Sequence, residues 1–170
     1  DILGLMDRPS IRIWRPATTY VLIGGLVALL VASVIAYMVA TFQPTTLVRV
    51  GSGAYSVWVA NTEAERIQGL SGVKELSKNG GLLMGFPEDG KWGIWMKDMY
   101  VPLDIVWLDS KKKVVHIVTD ASPELSTKKT FVPKDPSRYV LELPAGSVQK
   151  AGIKRGMLAD FSDQETGDSF

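Results

Sequence analysis

The acid at position 104 is the residue whose neighbours say most about chemistry. Strand alternation puts Leu103, Ile105 and Trp107 on one face and Asp104, Val106 and Leu108 on the other. A carboxylate in such company is enclosed. Enclosure is costly unless the charge is paired or hydrogen-bonded, so Arg66, Lys97, a tryptophan N–H or a backbone amide is expected to reach it. Asp104 is then either an acceptor that fixes loop geometry or a group that orients a ligand or moves a proton; the first is the plainer reading. Glu142 alternates with Leu141 and Leu143, and is either solvated or turned into the same polar cluster as Asp104. Two such carboxylates divide acid and base roles when their surroundings drive their pKa values apart.

A second concentration of informative residues lies between 92 and 99. Trp92, Trp95, Met96 and Met99 surround Lys97-Asp98, an apolar set with a few polar groups, as in small-ligand pockets. Aromatic packing in the core is the alternative. Trp92 and Ile94 alternate with Gly93 and Trp95, so one tryptophan is assigned to the core and the other left open. The ligand-binding candidates are therefore Arg66, Trp95, Met96, Lys97, Asp98, Asp104 and Glu142, and no residue is assigned a catalytic role. His116, the one histidine, lies on an alternating strand and is expected to be partly exposed there. No serine occupies a nucleophile elbow, and with no cysteine the chain lacks thiolate ligands and nucleophiles. Neither a metal nor a cofactor is assigned, and carboxylate-only calcium or magnesium binding stays open although EF-hand spacing is absent.

These side chains must be positioned by short strands. Residues 47–50 and 55–60 are β-branched or aromatic runs joined by Gly51-Ser52-Gly53, a hairpin turn rather than a phosphate loop. Thr62 and Glu65 match a capping box and start a helix, with Ala64, Ile67 and Leu70 facing the core, Glu63, Arg66 and Gln68 more exposed, and one more turn over 73–76. Apolar runs at 82–86, 92–96, 103–108, 113–118 and 139–143 carry an antiparallel rhythm, with Pro87-Glu88-Asp89-Gly90 and Asp109-Ser110 as turns. Lys111-Lys112-Lys113 reads as a solvated turn. Residues 119–136 read as a long exposed loop. A short helix over 147–151, stopped by Gly152, precedes a last strand near 157–161. Residues 162–170 read as a disordered tail.

Upstream, residues 19–43 contain an uncharged apolar run long enough to span a bilayer. A cleaved signal peptide is the competing reading, but the run is longer than its usual core and lacks a good cleavage site. Arg8, Arg12 and Arg15 precede the run and only Arg49 follows closely, so residues 1–18 are placed in the cytoplasm and the domain outside it. The lipid bilayer is the expected partner of residues 19–43. The fold class expected is mainly β (α+β), a compact antiparallel domain with short helices behind one transmembrane helix; residues 44–54 form linker and first strand, and 55–161 the domain proper. With 19 basic and 18 acidic side chains, composition forces no basic face, and no nucleic-acid partner is expected.

Four motifs occur in order: Glu65-Arg66-Ile67-Gln68-Gly69-Leu70, Ile94-Trp95-Met96-Lys97-Asp98, Val101-Pro102-Leu103-Asp104-Ile105-Val106-Trp107-Leu108-Asp109 and Tyr139-Val140-Leu141-Glu142-Leu143-Pro144-Ala145-Gly146. Together they make residues 55–160 resemble the domain of unknown function 192 family. The resemblance implies a small, mainly β domain with short helices, often behind a signal or anchor, and no established reaction. Many members read Asn where this chain has Asp98, and many carry a cysteine pair in the region of 121–131, absent here. Two functions remain. The favoured one is a non-catalytic module of the cell envelope that binds a small ligand, an envelope polymer or a neighbouring membrane protein through residues 95–104 and the 119–136 loop. The other is an acid–base hydrolase or lyase using Asp104 with Lys97, Arg66 or Glu142.

The topology is directly testable. Protease added to intact spheroplasts is expected to digest the domain beyond Pro44, because the three arginines hold the N-terminus inside. Full protection of the domain would reverse the orientation.

Overall fold

The computed structural model describes residues 16–41, 45–125 and 129–162. Residues 1–15, expected in the cytoplasm, residues 42–44, expected to end the span and begin the linker, residues 126–128 of the expected loop, and residues 163–170, expected to be a tail, lie outside them. The chain divides into two units, residues 1–42 and 43–170.

The first unit contains α1 (Pro16–Thr41), 26 residues long. Its side chains are described over residues 20–36, where all are exposed and none is charged. Among the described residues no helix is long and apolar enough to cross a membrane. The expected helix is present, and its expected role as a span is not shown.

The second unit contains β1 (Thr45–Val50), β2 (Gly53–Ala60), α2 (Glu63–Gln68), β3 (Leu82–Gly90), β4 (Ile94–Trp95), β5 (Leu103–Leu108), β6 (Val114–Ala121), β7 (Thr130–Phe131), β8 (Ser137–Pro144) and α3 (Ser147–Ala151), with one 3-10 turn at Pro123–Leu125. Six strands form a curled sheet in the order β1-β2-β3-β8-β5-β6, and β4 pairs with β7 alone. The β1–β2 hairpin turns on Gly51-Ser52, with Val50 opposite Gly53. Gly51 has a φ of +61°, and a Cβ there would lie 2.3 Å from the Ala151 carbonyl oxygen, so the turn tolerates no side chain.

The expectation of a wholly antiparallel sheet is corrected by one pair. β2 and β3 run parallel, with Trp58, Val59 and Ala60 opposite Leu82, Leu83 and Met84. A parallel pair needs a crossover rather than a tight turn, and the segment containing α2 supplies it. That segment differs from its expected form in two ways. Residues 73–76 are irregular rather than helical. In α2 itself no residue is buried; Ala64 is exposed and Ile67 is 60% exposed, leaving Leu70 beyond the helix to enter the core. With six residues, α2 is too short for its sequence periodicity to define a packed face.

Both faces of the sheet are covered, which explains why all six residues of β5 are buried. Leu103, Ile105 and Trp107 join one cluster with Leu82, Met84, Phe86 and Val140. Val106 and Leu108 join the other with Val48, Leu83, Leu141 and Leu143. The face division expected for β5 is therefore correct.

Other expectations change in extent. Strand 92–96 contracts to β4. The turn at 87–90 is the irregular end of β3, whose pairing with β8 shifts between Gly85 and Gly90. Lys112 is more than a solvated turn residue: its φ is +61°, and its Nζ donates to the Phe161 carbonyl at 2.8 Å. The 119–136 segment is partly ordered by β6, β7 and the 3-10 turn, with Ala121 and Phe131 buried. The last strand reduces to single bridges, Arg49 with Asp160 and Lys113 with Leu158. Those bridges join the segment to both edges of the sheet, β1 and the start of β6, shielding otherwise unpaired strand backbone.

Asp104 is fully buried on β5, as its neighbours imply. Its partners are backbone amides: Asp120 N–H donates to Oδ1 at 3.0 Å and Val148 N–H donates to Oδ2 at 2.8 Å. Arg66, Lys97 and the tryptophan N–H groups are not its partners. The second bond caps α3, whose own N-cap residue, Gly146, has no side chain to do so. The first holds Asp120 at a φ of +53° beside the β5–β6 irregularity. One carboxylate thus ties a strand to a turn and a helix start. Asp104→Asn keeps one good acceptor and turns an NH2 toward a backbone donor. It is expected to lose roughly 1–3 kcal/mol of stability in denaturant unfolding, the scale for compromising a buried hydrogen-bonded group. Unchanged stability would contradict the role.

Candidate functional site

α2 begins directly after β2 because the capping box forms. The Thr62 hydroxyl accepts from Glu65 N–H at 3.3 Å, and the Glu65 carboxylate accepts from Asn61 and Thr62 N–H at 2.9 Å each. Those bonds, led by the Thr62 backbone, hold the Glu65 pKa below the usual carboxylate value. The box fixes the position of the next residue, Arg66. Its guanidinium donates to the carbonyls of Asn61 and Gly85, the latter at 2.8 Å, and lies 5.2 Å from the Phe86 ring centre.

Across from α2, Phe86 and Trp92 stack with centroids 4.3 Å apart and planes 8° from parallel. The core residue Trp107 steadies this pair by donating its indole N–H to the Trp92 carbonyl at 2.8 Å. Trp92 is half-buried and Trp95 is 49% exposed, so neither belongs wholly to the core. Between these walls opens a cavity of about 380 Å³, within the range of small-molecule sites. Met84, Phe86, Trp92, Ile94, Trp95 and Met99 give it an apolar lining, Arg66 stands in its wall and Glu142 contributes to its floor.

Glu142 lies on β8 between Leu82 of β3 and Ile105 of β5. It is 3% exposed. Among the described residues its carboxyl group has no hydrogen-bond or ion-pair partner, and burial alone pushes its pKa up to about 8. No buried side-chain oxygen in the described residues lacks a partner. The Glu142 oxygens must therefore meet open space, and that space is the cavity. At neutral pH the site presents an uncharged carboxylic acid to whatever enters.

Neither alternative for Glu142 holds: it is not solvated, and it does not cluster with Asp104. Asp104 pairs in register with Leu143, whereas Glu142 pairs with Ile105, placing the two acids on opposite faces. Met96 is also removed from the site, since it is fully buried in the core. Arg66, Trp95 and Glu142 are brought together. Lys97 and Asp98 border a more open depression of about 370 Å³, which shares Ile67, Gln68, Ser71 and Trp95 with the cavity. Lys97 Nζ sits 5.8 Å from the Trp95 ring centre. Asp98 has a φ of +54°, and its carbonyl accepts from Gly72 N–H at 2.9 Å. Asp and Asn tolerate that left-handed conformation better than most residues, so backbone geometry accounts for the residue type at 98. His116 is partly exposed, as expected, and packs 5.3 Å from Trp107; burial is the largest influence lowering its pKa. Among the described residues no three His, Asp or Glu side chains gather as a metal set. Met84 and Phe86 line the cavity without having been singled out from sequence, where they read as an ordinary strand.

The raised pKa of Glu142 has a definite sign in stability. In the unfolded chain the group ionises near its ordinary value of 4.5, whereas the folded protein retains the proton to about 8. Its contribution is full below the lower value and declines as pH rises to the upper one, on the order of 1 kcal/mol per pH unit. Glu142→Gln, which cannot ionise, is expected to flatten that part of the stability-versus-pH curve in denaturant titrations. An unchanged slope would show that Glu142 ionises normally.

The DUF192 family, described as Uncharacterized ACR, matches residues 46–161. The UPF0127 protein TK1120 of Thermococcus kodakarensis is 30% identical over 111 residues, covering 64% of this chain and 66% of that protein, just under two thirds of its length. A UPF0127 protein of Thermococcus gammatolerans is 29% identical, over 64% of this chain and 68% of its own. Among solved structures, a candidate transcription regulator from Sinorhizobium meliloti 1021 superposes with a TM-score of 0.65 at 29% identity, over 70% of this chain and 95% of that one. A protein of unknown function from Novosphingobium aromaticivorans gives 0.62 at 26% identity, over 69% and 84%. The match across residues 46–161 contains the curled sheet and the cavity with its Glu142 floor, and the chain belongs to the DUF192 family.

Proposed function

We propose that the protein is a membrane-anchored, non-catalytic module that binds a small ligand in the cavity between α2 and the Phe86–Trp92 wall. The observation that carries this reading is Glu142, a buried carboxyl group without a protein partner that opens onto an apolar chamber. Its oxygens reach the open space of the chamber with no protein partner, and a ligand there completes their hydrogen bonding. The anchor reading is supported by the uncharged run within residues 19–43, by the length of α1, and by the exposure of side chains such as Leu22, Leu26, Leu29 and Leu30. A contiguous apolar helix surface of that kind requires cover, and lipid provides it. With the arginines at 8, 12 and 15 inside, the domain faces the envelope side. The transcription-regulator description of the Sinorhizobium protein finds no support in this chain's near-balanced charge of +1.

The acid–base alternative retains one favourable observation, the Glu142 pKa of about 8, which suits a general acid at neutral pH. Its Asp104-centred form does not survive, because Asp104 lies on the opposite face with both oxygens engaged by backbone amides. Lys97 borders the adjoining depression and does not line the cavity with Glu142.

Thermal-shift screening of the full chain with small apolar acids, amides and amines tests the binding reading. A true ligand stabilises the parent by about 2–3 kcal/mol at a hundredfold excess over its Kd. Trp95→Ala is expected to weaken that response while changing ligand-free stability by less than about 1 kcal/mol, since the side chain is half exposed. Failure of every compound to stabilise the parent would overturn the proposal.

A further inference from the structure

The neighbours of Glu142 restrict what a ligand can present to it. Opposite it in register are Leu82 of β3 and Ile105 of β5, and Met84 of β3 and Ile94 of β4 line the same cavity; none of the four titrates. Among the described residues lining the cavity, the other ionisable groups are both on α2, Arg66 in the wall and Glu63 at the exposed rim. Lys97 borders the adjoining depression, beyond Trp95.

A cationic ligand would share this chamber with Arg66 and would require Glu142 to ionise among apolar side chains. A ligand with an acceptor oxygen requires neither. It takes a hydrogen bond from the carboxyl proton that burial retains on Glu142, and an anionic acceptor is additionally drawn to the guanidinium. Phe86, Trp92, Trp95 and Met84 offer their surface to an apolar body.

Resting on the binding-module reading above, we infer that the cavity selects an apolar monocarboxylate, its carboxylate oxygen accepting from the Glu142 carboxyl group near Arg66 and its aromatic or alkyl body lying against Phe86, Trp92 and Trp95. The corresponding amide binds more weakly for want of charge, and the amine is excluded.

Equilibrium dialysis of the full chain in lipid nanodiscs, with empty nanodiscs to subtract partitioning, tests this using 4-phenylbutyrate, 4-phenylbutyramide and 4-phenylbutylamine. Below the Glu142 pKa, the carboxylate is expected to bind at least about tenfold more tightly than the amine, with the amide between, on the scale of one charge-assisted hydrogen bond. Carboxylate affinity should fall as pH rises through about 8, approaching tenfold per pH unit where the proton is lost. Glu142→Gln, which keeps a donor but cannot ionise, should bind the carboxylate several-fold more weakly and with no such pH dependence. Preference for the amine, strengthening with pH, would overturn the ligand class while leaving a binding cavity. Absence of binding by all three would overturn the class and count against the cavity as a binding site. An unchanged pH profile in Glu142→Gln would remove Glu142 from the contact.

Discussion

Strand β8 has to satisfy neighbours on both edges and both faces at once. It lies between β3 and β5, and its alternation sends Val140 and Glu142 into one core and Leu141 and Leu143 into the other. A slip of one residue would exchange those faces, carrying a carboxyl group into a packed hydrocarbon layer and leucines into the cavity floor. The cost of that exchange makes register and site one constraint. Gly81 adds to it: a Cβ there would lie 2.3 Å from the Glu142 carbonyl oxygen, so the chain entering β3 can pass the backbone of β8 only because that position has no side chain.

The two buried acids illustrate opposite solutions to the same physical problem. Asp104 remains compatible with its surroundings because two backbone N–H groups point at it, and it supplies geometry in return by starting α3 and holding Asp120. Glu142 has no such donors and holds its proton instead. Desolvation met by hydrogen bonds makes a structural residue; desolvation left unmet makes a reactive or receptive one.

Much of this was legible in sequence where the signal is local. The capping box of Thr62 and Glu65, the Gly51-Ser52 hairpin, the helix stopped by Gly152, the enclosure of Asp104 and the two faces of β5 all follow from short-range pattern. The parallel β2–β3 pair was not, since strand runs carry no direction and only the connecting segment reveals it. Glu142 could be assigned to one face of its strand, but nothing in Leu141-Glu142-Leu143 states that a second core covers that face. Ile67 and Met96 show the limit from the other side. Both are apolar residues in suggestive positions, yet Ile67 is largely exposed at the cavity rim and Met96 is sealed in the core, because tertiary packing decides which apolar residue meets solvent.

The bridges made by the segment around residues 157–160 carry a consequence for the order of assembly. They tie Arg49, near the beginning of the domain, and Lys113, in its middle, to residues that leave the ribosome after every strand of the sheet. Until that stretch arrives, the two outer strands keep open backbone donors and acceptors, and a half-made sheet is a template for any extended chain nearby. Completion is therefore a late event governed by contacts distant in sequence, and the nascent polypeptide passes through a period in which a chaperone that holds extended strands apart would determine its yield.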